Sequence, residues 1–229
     1  ACFGADTSQL WQSFTSKKPM VRQMDGAAIL PLPPGATLQP FTPGRPNAAF
    51  EAFMLASMRK TNPEYSERIE RYFDYCLKND LRCVQAITDA KGDRRLSPSK
   101  QEDPDVYTRI VERRSDGVVI RGAKLHISSA AVSHELMVMP TKAMKPGEED
   151  WAIACAVPVN APGVRIVNTN YAPRENVADY PYSSRYNTPE GFVIFDDVFV
   201  PNERVFLAGE TEYSSTFAHS LGLWERLGG

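Results

Sequence analysis

The chain has 229 residues, 42% hydrophobic and 24% charged, with a formal net charge of −2. That length and mixture describe a globular protein of one large or two small domains, and Lys and Arg scattered along the chain exclude a basic nucleic-acid-binding stripe. No apolar run is long enough to span a bilayer and the N-terminus has no signal-peptide pattern, so the expectation is a cytoplasmic protein with neither membrane nor nucleic acid as partner.

The first stretch offers few signals. Leu10–Phe14 fits a helical turn, and Ile29 to Pro46 contains PLPPGATLQPFTPGRP. Closely spaced prolines remove backbone donors and fix φ, so this stretch is expected to be an extended connector. Asn47 to Met58 is apolar without a breaker and predicts a helix. Asn62-Pro63 then supplies an N-cap followed by proline at the first helical position. Ile69, Tyr72, Phe73, Cys76 and Leu77 follow at i, i+3, i+4, i+7 and i+8, which is one helix face ending at Asn79-Asp80. Cys76 on that face is expected to be a core thiol. The other cysteines, Cys2, Cys83 and Cys155, form no CxxC pair and no zinc-type cluster with histidine. Free thiols and no metal are expected.

From Leu81 the pattern changes to short β-runs. Predicted strands are Val106–Glu112, Val118–Leu125, Leu136–Met139, Ala152–Val157, Val164–Val167, Phe192–Phe195 and Val198–Val200. Turn residues separate them at Asp116-Gly117, Pro146-Gly147, Asn160–Gly163 and Thr188–Gly191. Asp-Gly between apolar runs is a strong hairpin signal, because Gly tolerates positive φ. The run from Val118 to Leu125 leads into a small polar loop, His126 to Ser133, holding three serines and His126. Many short strands with regular turns argue for a sandwich or barrel. Tyr213 to Leu227 predicts a further helix, closed by Gly228-Gly229.

Four blocks, in order, resemble the flavoprotein family that includes the large component of 4-hydroxyphenylacetate 3-monooxygenase and 4-hydroxybutyryl-CoA dehydratase. They are Ala86–Gly117 (AITDAKGDRRLSPSKQEDPDVYTRIVERRSDG), Gly117–Thr141 (GVVIRGAKLHISSAAVSHELMVMPT), Ala156–Val164 (AVPVNAPGV) and Gly191–Leu207 (GFVIFDDVFVPNERVFL). The resemblance implies an α+β, acyl-CoA-dehydrogenase-like fold: a central antiparallel β-barrel with flanking helices. It divides the chain into 1–80, a proline-rich connector with helices; 81–210, a flavin-binding β-domain; and 211–229, the start of a C-terminal helical region. The family's C-terminal helical bundle is absent from this chain, so the expectation is a fragment, or a partner chain carrying the rest.

Thr88-Asp89-Ala90-Lys91-Gly92-Asp93-Arg94 forms a turn with exposed backbone N–H groups and two cations. Such a turn suits an anion, either a pyrophosphate or a reduced isoalloxazine. By resemblance to the dehydratase's TDxKGDR pattern, Ile87, Thr88, Lys91, Asp93 and Arg94 are expected to line FAD. His126 and Ser128 match the family's GAK-x-H-x-T segment beside the flavin, with Ser for Thr, which keeps the hydroxyl. His134 resembles a family histidine after the same loop and is expected to be structural. Gln85, Thr141 and Lys142 correspond to substrate-contacting positions; the monooxygenases carry histidine where this chain has Gln85. Glu190 matches a dehydratase glutamate near substrate, and a partly desolvated carboxylate at the entry of an apolar strand suits acid–base catalysis. The dehydratase's [4Fe–4S] ligands find no counterpart. No second cysteine accompanies Cys2, Cys76 and Cys83 lie downstream of the expected pair, and only His219 stands near the remaining ligand positions.

The leading expectation is thus a flavin-dependent oxidoreductase that takes reduced FAD from a separate flavin reductase and hydroxylates an aromatic ring, assembled as a homo-oligomer, a tetramer. The alternatives are a 4-hydroxybutyryl-CoA dehydratase/vinylacetyl-CoA isomerase-like enzyme acting on an acyl-CoA, and a non-catalytic assembly subunit.

Overall fold

The structure, a computed structural model, describes residues 23–24, 27–28, 62–168, 178–181 and 190–217. The expected turn Leu10–Phe14, the proline-rich connector, the helix Asn47–Met58, Cys2, His219 and the helix beyond residue 217 lie outside the described residues. Two short pieces, β1 (Gln23–Met24) and β2 (Ala27–Ala28), pair antiparallel.

Helix α1 spans Pro63–Lys78. Asn62 caps it: its Oδ1 accepts from the amides of Glu64 at 3.1 Å and Tyr65 at 3.3 Å, satisfying donors that have no partner inside the helix. Tyr65, Ile69, Tyr72 and Cys76 are buried along one face, as the spacing predicts.

Eight strands make two four-stranded sheets. The first has the order β10 (Val205–Ala208), β7 (Ile153–Pro158), β6 (Glu135–Val138), β3 (Cys83–Ala86). The second has the order β4 (Arg109–Arg113), β5 (Gly117–Ser128), β9 (Glu190–Pro201), β8 (Val164–Asn168). All pairs are antiparallel except β3 with β6. The chain leaves the first sheet after β3, builds β4 and β5 in the second, and returns in the original direction as β6. Among the described residues the strands therefore form two separate sheets, not one continuous wall.

Side-chain alternation stacks the layers. In β7, Ile153, Cys155 and Val157 face Ile120, Val193, Phe195 and Val198 of the second sheet, while Ala154 and Ala156 face α1. Alanines on that outer face leave room for Tyr65, Ile69 and Tyr72 to lie close to the strands. Both faces of β7 are buried, which explains its unbroken apolar run.

Several boundaries differ from those expected. Val106 belongs to a 3-10 turn, Pro104–Val106, and β4 begins only at Arg109. The segment from Phe192 to Val200, expected as two strands, is one strand, β9, with Asp197 at φ 54 forming a bulge. β5 runs on through His126 (φ 56) to Ser128, because β9 supplies Gly191 and Glu190 as partners for Ile127 and Ser128. The Asp116-Gly117 hairpin is present: Arg113 pairs with Val118, and the Arg114 amide donates to the Gly117 carbonyl at 2.8 Å.

Gly122 in β5 has φ +136, and a Cβ there would lie 2.5 Å from Thr108 Cα and 2.9 Å from the Tyr107 carbonyl oxygen. Backbone, unlike a side-chain end, cannot turn away. Gly122→Ala is expected to lower stability by about 1–3 kcal/mol; a thermal melt superimposable on that of the unsubstituted protein contradicts this.

Candidate functional site

The expected site residues come from four segments, 85–94, 126–128, 141–142 and the start of β9 at Glu190. Gln85 lies in β3 opposite Met137, and Ile87 and Thr88 follow it directly. The Thr88 carbonyl accepts from the Leu125 amide at 2.7 Å, and Asp89 bridges Lys124. The structure thus places Thr88 one residue across from His126. On the other side of β3, the Met139 amide donates to the Ala86 carbonyl at 3.1 Å, which brings Thr141 and Lys142 to the same end of the sheet.

The 91–94 turn has a specific build. Lys91 (φ 73) and Gly92 (φ 47) are both left-handed. The Gln101 side chain pins the turn, its Oε1 accepting from the Asp93 amide at 3.0 Å and its Nε2 donating to the Asp93 carbonyl at 2.8 Å. A Cβ on Gly92 would sit 2.4 Å from that Oε1, so this turn needs glycine on two counts. Asp93 is committed elsewhere: Arg95 pairs with it at 2.6 Å and holds its carboxyl below the usual range through side-chain and backbone hydrogen bonds.

Tyr107 links the turn to the 141–142 segment. Lys142 Nζ stands 5.6 Å from the ring centroid, within cation–π range. Burial raises the pKa of the Tyr107 hydroxyl, the charge on Asp89 adds to the rise, and nearby Arg94 opposes it. Lys91 in turn lies close enough to Lys124 to help lower that ammonium's pKa. Lys91, Arg94 and Lys142 therefore gather around Tyr107 and the Asp89–Lys124 bridge. None of the three has a carboxylate within ion-pair distance among the described residues.

At the far end of β5, Ser128 is in register with Glu190 and its Oγ donates to Glu190 Oε1 at 2.5 Å. His126 and Ser128 are exposed, and Glu190 is half-buried. His134 is held differently: its Nδ1 accepts from the Arg82 amide at 2.9 Å, in line with the structural role expected of it. Among the described residues, no group of three or more His, Cys, Asp or Glu side chains is placed to hold a metal. Cys76, Cys83 and Cys155 are free thiols.

A depression of about 520 Å³ lies instead on the outer face of the second sheet, walled by Arg109, Arg114, Arg121 and Phe199. Its arginines are paired, Arg109 with Asp105, Arg114 with Glu112 and Arg121 with Asp197. None of the four site segments contributes to it.

Two residues that the sequence reading did not single out stand at the centre. Lys124 and Asp89 are each 2% exposed and their charged atoms are 2.6 Å apart. The signal was present in β5: Val118, Ile120, Gly122 and Lys124 share one inward parity, and an inward lysine must find an acceptor.

Residues 40–207 match the family described as 4-hydroxyphenylacetate 3-hydroxylase N terminal. The 4-hydroxybutyryl-CoA dehydratase/vinylacetyl-CoA-Delta-isomerase of Clostridium aminobutyricum is 37% identical over 173 residues, covering 73% of this chain and 35% of the relative. The 4-hydroxyphenylacetate 3-monooxygenase oxygenase component of Geobacillus sp. (strain PA-9) is 30% identical over 170 residues, covering 72% of this chain and 34% of the relative. A solved oxygenase component of 4-hydroxyphenylacetate 3-monooxygenase, complexed with FAD, superposes with a TM-score of 0.63 at 30% identity, covering 77% of this chain and 35% of that one. The chain thus spans about a third of the length of the relatives it matches. Since the matched region takes in α1, all four site segments and both four-stranded sheets up to Leu207, the chain belongs to the 4-hydroxyphenylacetate 3-hydroxylase N-terminal family.

Proposed function

We propose that this chain forms the flavin-facing part of an FAD-dependent oxidoreductase, of the type that uses reduced FAD from a separate reductase to hydroxylate a phenolic ring. The observation that carries this is the gathering of Lys91, Arg94 and Lys142 beside Tyr107, none of them in a direct ion pair among the described residues, although the Asp89 and Glu148 carboxylates also act on Tyr107. Cations left unpaired at one end of a sheet fit an anionic ligand, and both the phosphates and the reduced ring of FAD are anionic. Ile87, Thr88, Lys91 and Arg94 would hold it from one side, and His126 and Ser128 from the other. Asp93 serves by fixing the turn through Arg95. FAD supplies the redox chemistry when bound. The chain's own residues bind and orient it, and Gln85, Thr141 and Lys142 face the substrate. Glu190, which accepts a hydrogen bond from Ser128, is the acid–base group.

The finer architecture belongs to the same reading. The two sheets form the wall of an acyl-CoA-dehydrogenase-like β-barrel, residues 81–210 are its flavin-binding domain, and a C-terminal helical bundle closes the site in a homo-oligomer. The two-layer packing and the 0.63 TM-score to a FAD complex support this.

The test is an anaerobic titration with reduced FAD, followed by absorbance and fluorescence. Arg94→Ala is expected to weaken binding about tenfold to a hundredfold through loss of a charge-assisted contact. Equal affinity in the variant removes Arg94 from the site.

A second reading, a dehydratase-type enzyme acting on an acyl-CoA, is favoured by Gln85 in place of the monooxygenase histidine and by the 37% identity to the Clostridium enzyme. Turnover of a 4-hydroxyacyl-CoA, with no oxygen-dependent turnover of phenols, selects it.

A further inference from the structure

Lys124 is among the largest fully buried side chains of the described residues, and its ammonium is completely satisfied. Its three donors meet three acceptors: Asp89 Oδ1 at 2.6 Å, the Ile87 carbonyl at 2.9 Å and the Met139 carbonyl at 2.9 Å. Asp89 Oδ1 also accepts from the Thr108 amide at 3.0 Å. Each contact reaches a segment that carries site residues. Ile87 precedes Thr88 and the 91–94 turn. Met139 precedes Thr141 and Lys142. Thr108 follows Tyr107, over which Lys142 lies. Lys124 itself is two residues from His126 and four from Ser128.

A buried ion pair is weak evidence for stability, because two well-packed apolar side chains of similar volume are often as stable. An apolar pair, however, cannot grip two main-chain carbonyls from the segments that follow β3 and β6. We propose that the buried Lys124–Asp89 pair is a positioning device, which locks segments 87–94, 107–108 and 139–142 to the end of β5 and so sets the spacing of the flavin-facing groups. This rests on the flavin reading above. Lys124 and Asp89 lie behind the site and are not themselves in contact with flavin; they act through the backbone they hold.

Three proteins decide the matter: the unsubstituted protein, Asp89→Asn, and the double variant Lys124→Met/Asp89→Leu. The double variant removes both buried charges together, so it is expected to lose less stability than a variant that strands one of them, although the Thr108 amide and the two carbonyls lose their partners. With its carbonyl grips gone, it is expected to bind reduced FAD about tenfold to a hundredfold more weakly. Amide exchange is expected to accelerate together at Lys91, Leu125 and Met139, whose amides tie the three segments. Asp89→Asn keeps an acceptor oxygen for Lys124 and Thr108 and is expected to fall between the two. A folded double variant with normal FAD affinity overturns the proposal, since a merely structural pair predicts that result. If the double variant does not fold, Asp89→Asn decides, and normal affinity there overturns it equally. If the unsubstituted protein binds no reduced FAD, the flavin reading fails on its own. Exchange then decides for the pair: concerted acceleration in all three segments supports it, and acceleration confined to β5 sinks it.

Discussion

Asp89→Ala is expected to destabilise the fold by about 3–5 kcal/mol, read as a lower urea midpoint with an unchanged slope. The substitution leaves the Lys124 ammonium 2% exposed with two carbonyls but no counter-charge, and it leaves the Thr108 amide without its acceptor. Burial pushes the Asp89 carboxyl up and the Lys124 ammonium down, each against the attraction of the other and the hydrogen bonds between them. Burial is the larger effect on each group, so removing either partner leaves the other's charge to meet burial without its main compensation. Domains of this size hold a total stability of roughly 5–15 kcal/mol, so the loss is a large share of it. Asp89→Asn, which removes the charge and keeps the oxygen, is expected to cost less. Equal midpoints for Asp89→Ala and the unsubstituted protein refute the buried pair.

Local rules in the sequence were enough for α1 and the hairpin. Asn62-Pro63 names a helix start by its own chemistry, and Asp116-Gly117 names a turn. Long-range partners decided the rest. His126 looked like the start of a loop, yet a positive φ there makes a bulge and the strand continues, because β9 offers two more partners. Asp196-Asp197 looked like a break between strands. In the fold both carboxylates point outward, Asp196 to Arg165 and Asp197 to Arg121, and β9 passes beneath them unbroken. β3 and β10 have four residues each, too few for a periodic signal. The parallel pairing of β3 with β6 is set by where the intervening chain goes, which no window of sequence contains. At the candidate site, motif resemblance pointed to the 87–94 and 126–128 segments, which the fold brings side by side. It did not locate what joins them, since a buried lysine is recognisable only once its parity in β5 and its partner in another segment are seen together.

Arg204→Ala is expected to cost about 2–4 kcal/mol, between the values for fully buried and exposed pairs, because Arg204 is 18% exposed and Glu135 only 4%. Arg204 stands in the 3-10 turn Asn202–Arg204, between β9 and β10, and reaches Glu135 of β6 at 2.6 Å. Its guanidinium also covers the rings of Tyr72 and Tyr75 on α1, at 5.6 Å and 5.4 Å from their centroids. The Tyr72 hydroxyl donates to the same Glu135 carboxylate at 3.3 Å. One side chain thus fastens helix, strand and turn, and its loss strands a carboxylate among apolar neighbours. Cys76 and Cys83 lie beneath this lid with their sulfurs 3.6 Å apart. The hydrogen bond from Cys83, aided by Arg204, holds the Cys76 thiol below its usual value against burial. Loosening α1 should therefore open both thiols to iodoacetamide, while Cys155 stays protected between the sheets, where burial pushes its pKa to about 12. Arg204→Lys keeps a charge but not the planar stack on two rings, and is expected to recover only part of the loss. A variant Arg204→Ala that melts normally with both thiols shielded contradicts the fastening. The consequence reaches the site, because α1 packs against Ile87 and Met139, whose carbonyls Lys124 grips from the other side. The helix and the buried pair therefore brace the same two segments from opposite faces of the first sheet.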